Sequence, residues 1–154
     1  MPADPTFLIL DFDSTIVSLE GLDEIAKLAL ADDPEREAKV LAIEGITRDG
    51  MEGRIGIDES LRRRLAMLRI TRAHVDAVVK HLRKHIAPSF RRHKAAIRRN
   101  ATGIYVVSSG FRDYVVPVCA ELGIAADHVV ANDFEWSKDG ATVVDYFTEF
   151  AIAP

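Results

Sequence analysis

Phe7-Leu-Ile-Leu-Asp11 is an apolar run without polar alternation, which predicts a strand buried on both faces. From Leu19 to Ala31 the pattern changes to helical spacing, with Leu22, Ile25, Ala26, Leu28 and Ala29 on one side. Asp33-Pro34 predicts a second helix, with Asp33 as N-cap and Pro34 at its first position, running to about Ile46. Gly50 and Gly53 mark a break. Asp58 opens a third helix over Glu59–Leu68, and Thr71 caps a fourth over Arg72–His85. Residues 19–86 therefore read as an all-helical, strongly charged stretch.

After Pro88 the plan alternates. Ser89–Asn100 reads as a helix, Gly103–Ser108 as a β-branched strand, and Asp113–Leu122 as a helix stopped by Gly123. Val129–Ala131 is a short strand. Phe134–Trp136 and Thr142–Tyr146 flank Ser137-Lys-Asp-Gly140, the signature of a β-hairpin turn. Strand, helical insertion, helix, strand, helix, strand implies an α/β fold with a parallel sheet and right-handed crossovers.

Two strand ends carry the candidate chemistry. Asp11-Phe12-Asp13-Ser14-Thr15 follows the first strand, where open α/β sheets bind ligands. Carboxylates separated by one extended residue point the same way. Asp11 held against a phosphate is a candidate nucleophile, forming an aspartyl-phosphate, and Asp13 is a candidate acid and base. Two anions facing a phosphate call for a divalent cation, and Mg²⁺ fits. The alternative is a loop whose Asp13 and Ser14 only cap the next helix. The second strand end, Val106-Val-Ser-Ser-Gly-Phe111, offers hydroxyls and backbone N–H groups at a helix N-terminus, a ready anion site or a plain turn.

Composition changes this picture little, and charge somewhat more. At 154 residues, 48% apolar and 29% charged, the chain is neither disordered nor of low complexity. The single cysteine, Cys119, excludes a disulfide framework and a multi-cysteine zinc site, and reads as core. No apolar run approaches a membrane span and no signal-peptide pattern is present, so a cytoplasmic setting is expected. The net charge is −4, yet eight basic and no acidic residues fall between Lys80 and Asn100. Such a block marks either a nucleic-acid partner or a solvated helix face, and no aromatic stacking platform accompanies it. His81 and His85, four apart, are either a metal pair without a third ligand or surface histidines.

The motifs in their order resemble a known family. Asp11-Phe-Asp-Ser-Thr15, Glu20, Met51-Glu-Gly53, Ser60-Leu-Arg-Arg-Arg64 and Val107-Ser-Ser-Gly-Phe111 are similar to the phosphoserine phosphatase group of the haloacid dehalogenase superfamily. The resemblance runs to about Tyr146. It implies a Rossmann-like three-layer core at residues 1–17 plus 87–154, with a helical cap at 18–86. It also implies a Mg²⁺-dependent phosphomonoesterase acting on a small phosphorylated substrate such as phosphoserine. By that similarity Asp11 is nucleophile and metal ligand, and Asp13 is acid/base with its main-chain carbonyl facing the metal. Ser108 and Ser109 hold phosphate. Glu20 meets a substrate ammonium, Arg64 its carboxylate, and Met51 lines the substrate site from the cap.

This chain departs from the family pattern in three places. Ser108-Ser109-Gly110 stands where the family has Ser-Gly-Gly, and Ile57 where it has an aromatic residue. No basic residue follows Lys138, so the family's phosphate-contacting lysine and its later Gly-Asp loop have no counterpart here. The expectation is a C-terminally truncated core with impaired activity, or an inactive relative with a binding role. Its first strand would form an exposed edge that favours self-association.

Overall fold

The computed structural model describes residues 6–148. A short strand β1 (Leu8–Leu10) leads into four helices, α1 (Gly21–Ala29), α2 (Arg36–Met51), α3 (Ile57–Leu65) and α4 (Arg72–Lys84). Two short helices follow, α5 (Pro88–Arg92) and α6 (Lys94–Arg99), then β2 (Ile104–Phe111), α7 (Arg112–Ala120), β3 (Val129–Trp136) and β4 (Val143–Phe147). The strands form one sheet in the order β1-β2-β3-β4. β1, β2 and β3 are parallel, and β3 and β4 form the expected antiparallel hairpin.

Strand pairing sorts the side chains by face. Leu8 and Leu10 pair with Ile104 and Val106, and Val106 pairs with Val129. Ile104, Val106 and Val129 are buried in the main apolar cluster together with Val115, Val118 and Cys119 of α7. The opposite face carries Phe7, Ile9 and Val107, all exposed, and is open among the described residues. β1 is therefore an edge strand with one uncovered face, not a strand buried on both. Ile9 is 68% exposed.

The helical segment shares this core. Leu22, Ile25, Leu61, Ile70, Val75, Val78 and Leu82 belong to the same cluster as the α7 residues. The chain leaves and returns through paired backbone: Ala87 N–H donates to Ile16 O at 2.8 Å, and Ser18 N–H to His85 O at 3.0 Å. On the far side the hairpin touches the helices. Val143 N–H donates to Ile70 O at 3.0 Å, Arg62 meets Asp145 at 3.1 Å, and the Arg72 guanidinium lies 3.5 Å from the Trp136 ring centroid.

Several boundaries differ from those read in the sequence. Asp33 does not cap α2; its carboxylate accepts from Glu35 N–H at 2.8 Å within a turn, and the helix starts at Arg36. α2 runs past Ile46 to Met51 because Gly50 lies inside it, at a close approach to α3. A Cβ on Gly50 would meet Ser60 Oγ at 2.9 Å. The chain turns only at Gly53, at φ +72°. α3 is shorter than expected, and Ser89–Asn100 splits at His93, whose φ of −100° and ψ of 12° end one helix and begin the next. β2 and β3 extend further than their β-branched cores.

Thr71 is the predicted cap of α4, and its hydroxyl accepts from His74 N–H while His74 Nδ1 accepts from Thr71 N–H at 3.2 Å. Thr71→Ala removes one of these bonds and should lower stability by about 1 kcal/mol. Chemical denaturation checks this, and Thr71→Ser should recover most of the loss. An unchanged midpoint in Thr71→Ala would show that the cap contributes nothing.

Candidate active site

The turn after β1 is tightly wound. Thr15, Ile16 and Val17 all donate backbone N–H groups to Phe12 O, and Ser14 takes a left-handed φ of 53°. Phe12 is fully buried. Winding the chain around it places Asp13 against the start of α1, where Gly21 N–H donates to Asp13 Oδ1 at 2.6 Å. From the end of β2, the Ser108 hydroxyl donates to Asp13 Oδ2 at 3.4 Å and accepts from Gly110 N–H at 2.9 Å. The two expected strand ends thus meet at one carboxylate. The helix-capping alternative is also realised, since one oxygen of Asp13 does hold the first N–H of α1.

Burial raises the Asp13 pKa to about 7. The Gly21 hydrogen bond opposes this shift, the neighbouring Glu20 and Asp11 charges add to it, and the Ser108 bond opposes it slightly. Such a carboxyl exchanges a proton near neutral pH, as a general acid and base must.

A cavity of about 200 Å³ opens beside it, lined by Asp13, Glu20, Met51, Ile57, Arg64 and Ser109, among others. Five of the residues singled out in the sequence therefore converge: Asp13, Glu20, Met51, Arg64 and Ser109. Glu20 is the N-cap residue of α1 but makes no side-chain cap; its carboxylate accepts from the Ser14 hydroxyl at 2.7 Å. Met51 ends α2 and is exposed. Ser108 reaches the site through Asp13. Asp11 does not line this cavity: it is exposed, and its Oδ1 accepts from Phe12 N–H at 2.7 Å.

Four polar or aromatic residues at this site carry no motif and were not singled out in the sequence. Tyr114, fully buried on α7, forms part of the cavity wall. Asn132 donates to Ser109 O at 2.7 Å and holds the loop after β2. Thr47, itself part of the cavity lining, and Asp23, outside it, both meet Arg64. Their only sequence signal is a polar residue at a helix position where the apolar pattern expects core, as for Thr47 four residues after buried Ile43.

No group of three or more His, Cys, Asp or Glu side chains among the described residues is arranged to hold a metal. Asp11 and Asp13 bring carboxylate oxygens to this end of the sheet, the donor type that suits a hard divalent cation. His81 and His85 stack at 4.4 Å, and His81 Nε2 lies 3.3 Å from Glu24, without a metal cluster. The basic block is partly engaged within the chain. Arg91 bonds Ile86 O, while Arg83, Lys94 and Arg98 gather around Glu121. Cys119 is buried as expected, its thiol pushed up to about 12 by burial.

With an aspartate pair at the end of a parallel strand and helices walling the cavity, the site has the layout of a haloacid dehalogenase-like hydrolase, and the model of that family matches residues 8–151. The chain belongs to this family. Within it, the chain is similar to the phosphoserine phosphatase of Homo sapiens, 29% identical over 130 residues, covering 84% of this chain and 54% of that protein. A phosphoserine phosphohydrolase-like protein from Francisella tularensis superposes with a TM-score of 0.79 at 27% identity, over 92% of this chain and 64% of that one. A phospho-aspartyl intermediate analogue of phosphoserine phosphatase superposes at 0.71 and 28% identity, over 96% and 65%. The chain spans about half the length of the curated relatives it matches.

The raised Asp13 pKa carries a sign for stability. The folded state holds this proton to about pH 7, whereas an unfolded aspartate releases it near 3.8, so stability is lost as pH rises between the two. Asp13→Asn should therefore raise the melting temperature more at pH 8 than at pH 4, measured with a metal chelator present. Equal shifts at both pH values would contradict the burial argument.

Proposed function

We propose that this chain carries the catalytic and substrate-recognition half of a phosphomonoester hydrolase of the phosphoserine phosphatase type. The observation that carries the reading is the part-buried Asp13 carboxyl, poised near pH 7 and facing a cavity that also holds Glu20 and Arg64. In this reading residues 18–86 act as a helical cap over a core whose described part is 6–17 and 87–148. The reaction is placed at Asp11. Its carboxylate attacks phosphorus and the ester P–O bond breaks, while Asp13 donates its proton to the leaving oxygen. Asp13, now ionised, takes a proton from water as that water attacks the aspartyl-phosphate, releasing inorganic phosphate and restoring Asp11. Mg²⁺, when bound by Asp11 and the Asp13 carbonyl, supplies positive charge where two carboxylates face a phosphate.

In this reading Ser109, which lines the cavity, and Ser108, which reaches it through Asp13, bind the phosphate. Arg64 and Glu20 give the cavity one cation and one anion, a match for the carboxylate and ammonium of phosphoserine. Met51 and Ile57 supply its apolar side. No lysine lines the cavity among the described residues. Phosphate charge is therefore less compensated than a dedicated cationic donor would allow, and we place turnover of this chain about 10²–10³ below that of a fully equipped site. A cytoplasmic setting suits a small-molecule substrate; no helix among the described residues is long and apolar enough to cross a membrane.

Hydrolysis of phosphoserine with Mg²⁺, comparing wild type and Asp11→Asn, tests the chemistry. Weak phosphate release abolished by the substitution is expected. Release indifferent to Asp11→Asn would remove the nucleophile assignment, and no release at all would favour an inactive relative with a binding role.

The edge strand supports a second proposal, self-association. β1 ends the sheet among the described residues, and Phe7, Leu8 and Ile9 are exposed beside its unpaired backbone. Sedimentation across a concentration series should show reversible association, and Ile9→Lys should return the chain to monomer. A monomer at all concentrations, with slow hydrogen exchange through Leu8–Leu10, would overturn it.

A further inference from the structure

The helical segment contains a buried polar cluster that its packing does not require. Thr47, Ser60 and Arg64 are all buried, although they lie on helices whose other inward positions are apolar. The cluster joins three helices. Asp23 comes from α1, Thr47 from α2, and Ser60 and Arg64 from α3. Arg64 Nη1 donates to Thr47 Oγ1 at 3.1 Å and to Asp23 Oδ1 at 3.4 Å, and Nε donates to Ser60 O at 3.3 Å. The Thr47 hydroxyl donates onward to Asp23 Oδ1 at 2.9 Å, with Ile43 O at 3.0 Å as a second acceptor. The close approach at Gly50 and Ser60 brings α2 and α3 near enough for Thr47 to reach the guanidinium.

One edge of the guanidinium is left over. Nε and Nη1 are tied to the helices, whereas Nη2 makes no hydrogen bond to the protein among the described residues, and Arg64 lines the cavity. An arginine side chain otherwise carries considerable rotamer entropy, much of which a ligand would have to freeze. Here that order is already built in. Nη2, held in place from behind by the bonds of Nε and Nη1, is a preset cationic donor that suits an anionic acceptor such as a carboxylate.

We propose that Asp23 and Thr47 are positioning residues that fix Arg64 as a preformed receptor for the carboxylate of the phosphomonoester substrate. The inference rests on the reading of the cavity given above, and it adds the part of the chain that makes the site selective for a carboxylate-bearing substrate. Asp23 does not line the cavity; Thr47 does, but its hydroxyl is taken up by Asp23, Ile43 O and Arg64, so both act through the orientation of Arg64. Thr47 separates orientation from charge, because Thr47→Val keeps the side-chain shape and removes only the hydroxyl. Asp23→Asn keeps an acceptor oxygen while weakening the charge-assisted bond that holds the guanidinium.

The test is equilibrium binding by calorimetry with Mg²⁺ present, in an Asp11→Asn background so that the ligand is not consumed. Phosphoserine is compared with O-phosphoethanolamine, which lacks only the carboxylate, and far-UV circular dichroism checks the fold of each variant. Thr47→Val should weaken phosphoserine about tenfold and leave O-phosphoethanolamine within about twofold. Thr47→Ser, which restores the hydroxyl, should recover the affinity. Asp23→Asn should also weaken phosphoserine selectively, by a smaller factor. If the parent protein does not prefer phosphoserine, Arg64 is no carboxylate receptor, and the reading of the cavity falls together with the inference. If it does and Thr47→Val keeps the preference, only the positioning role falls. Equal weakening of both ligands would make the cluster purely structural, and tighter phosphoserine binding in Asp23→Asn would make Asp23 a competitor of the ligand.

Discussion

Tyr114 sets the spacing of the whole site. Its ring and hydroxyl, fully buried on α7, are wedged between the first residue of α1 and the end of β2. A Cβ on Gly21 would meet the ring at 2.5 Å, and one on Gly110 would meet the hydroxyl at 2.6 Å. Two glycines are thus required by one tyrosine, for close approach and not for unusual dihedrals. Phe12 and Phe111 flank the ring, each at 6.2 Å. Because interiors pack at crystal-like density, this wedge leaves little latitude in the gap between α1 and β2. Asp13 occupies that gap, held by Gly21 N–H on one side and the Ser108 hydroxyl on the other.

The electrostatics of the site follow from that gap. A carboxylate taken from water loses solvation that two hydrogen bonds only partly replace, and the nearby Glu20 and Asp11 oppose its ionisation further. The outcome is one carboxyl kept near neutrality and a second, Asp11, left in solvent two residues away. Burial alone distinguishes the two carboxyls, through the alternation of one buried phenylalanine. Tyr114 contributes to the same environment. Its own pKa is driven well above the usual phenol range, so it stays neutral and adds no countercharge.

What the sequence made legible and what it hid divide along range of interaction. Strand runs, the Thr71 cap, the hairpin turn and the Asp11-Phe-Asp13 motif are local patterns, and each appears where its residues stand. The errors are also local in cause. Asp33-Pro34 has the letters of a helix start, yet the Asp33 side chain is already engaged by Glu35 N–H and Lys39 in a turn. Gly50 reads as a helix break but is a packing contact with Ser60, a fact stored ten residues away. The Asp23–Thr47–Arg64 cluster spans 41 residues, and no spacing rule links its members. Tyr114 hides for the same reason: a tyrosine on an apolar helix face signals core, and only the two distant glycines reveal what it measures.

The cavity is assembled from two sets of elements whose attachments differ in kind. Asp13, Ser109 and Tyr114 come from the sheet end, and Glu20, Met51 and Arg64 from the helical segment. Their junction near α1 and α4 is apolar and continuous with the main cluster, and backbone pairs at Ile16–Ala87 and Ser18–His85 secure it. Burial of that kind stabilises by about 25 cal/mol for each Å² removed from water. On the hairpin side, α3 meets β4 through the exposed Arg62–Asp145 pair, which contributes roughly 0–1 kcal/mol, and through a part-buried hydrogen bond from the Tyr146 hydroxyl to Asp58. The wall that carries Arg64 adds Leu61 and Leu65 to the main apolar cluster and packs on α2 where Ser60 meets Gly50. A buried polar cluster linking it to α1 and α2 gives Arg64 a fixed bearing that does not depend on the outer contacts.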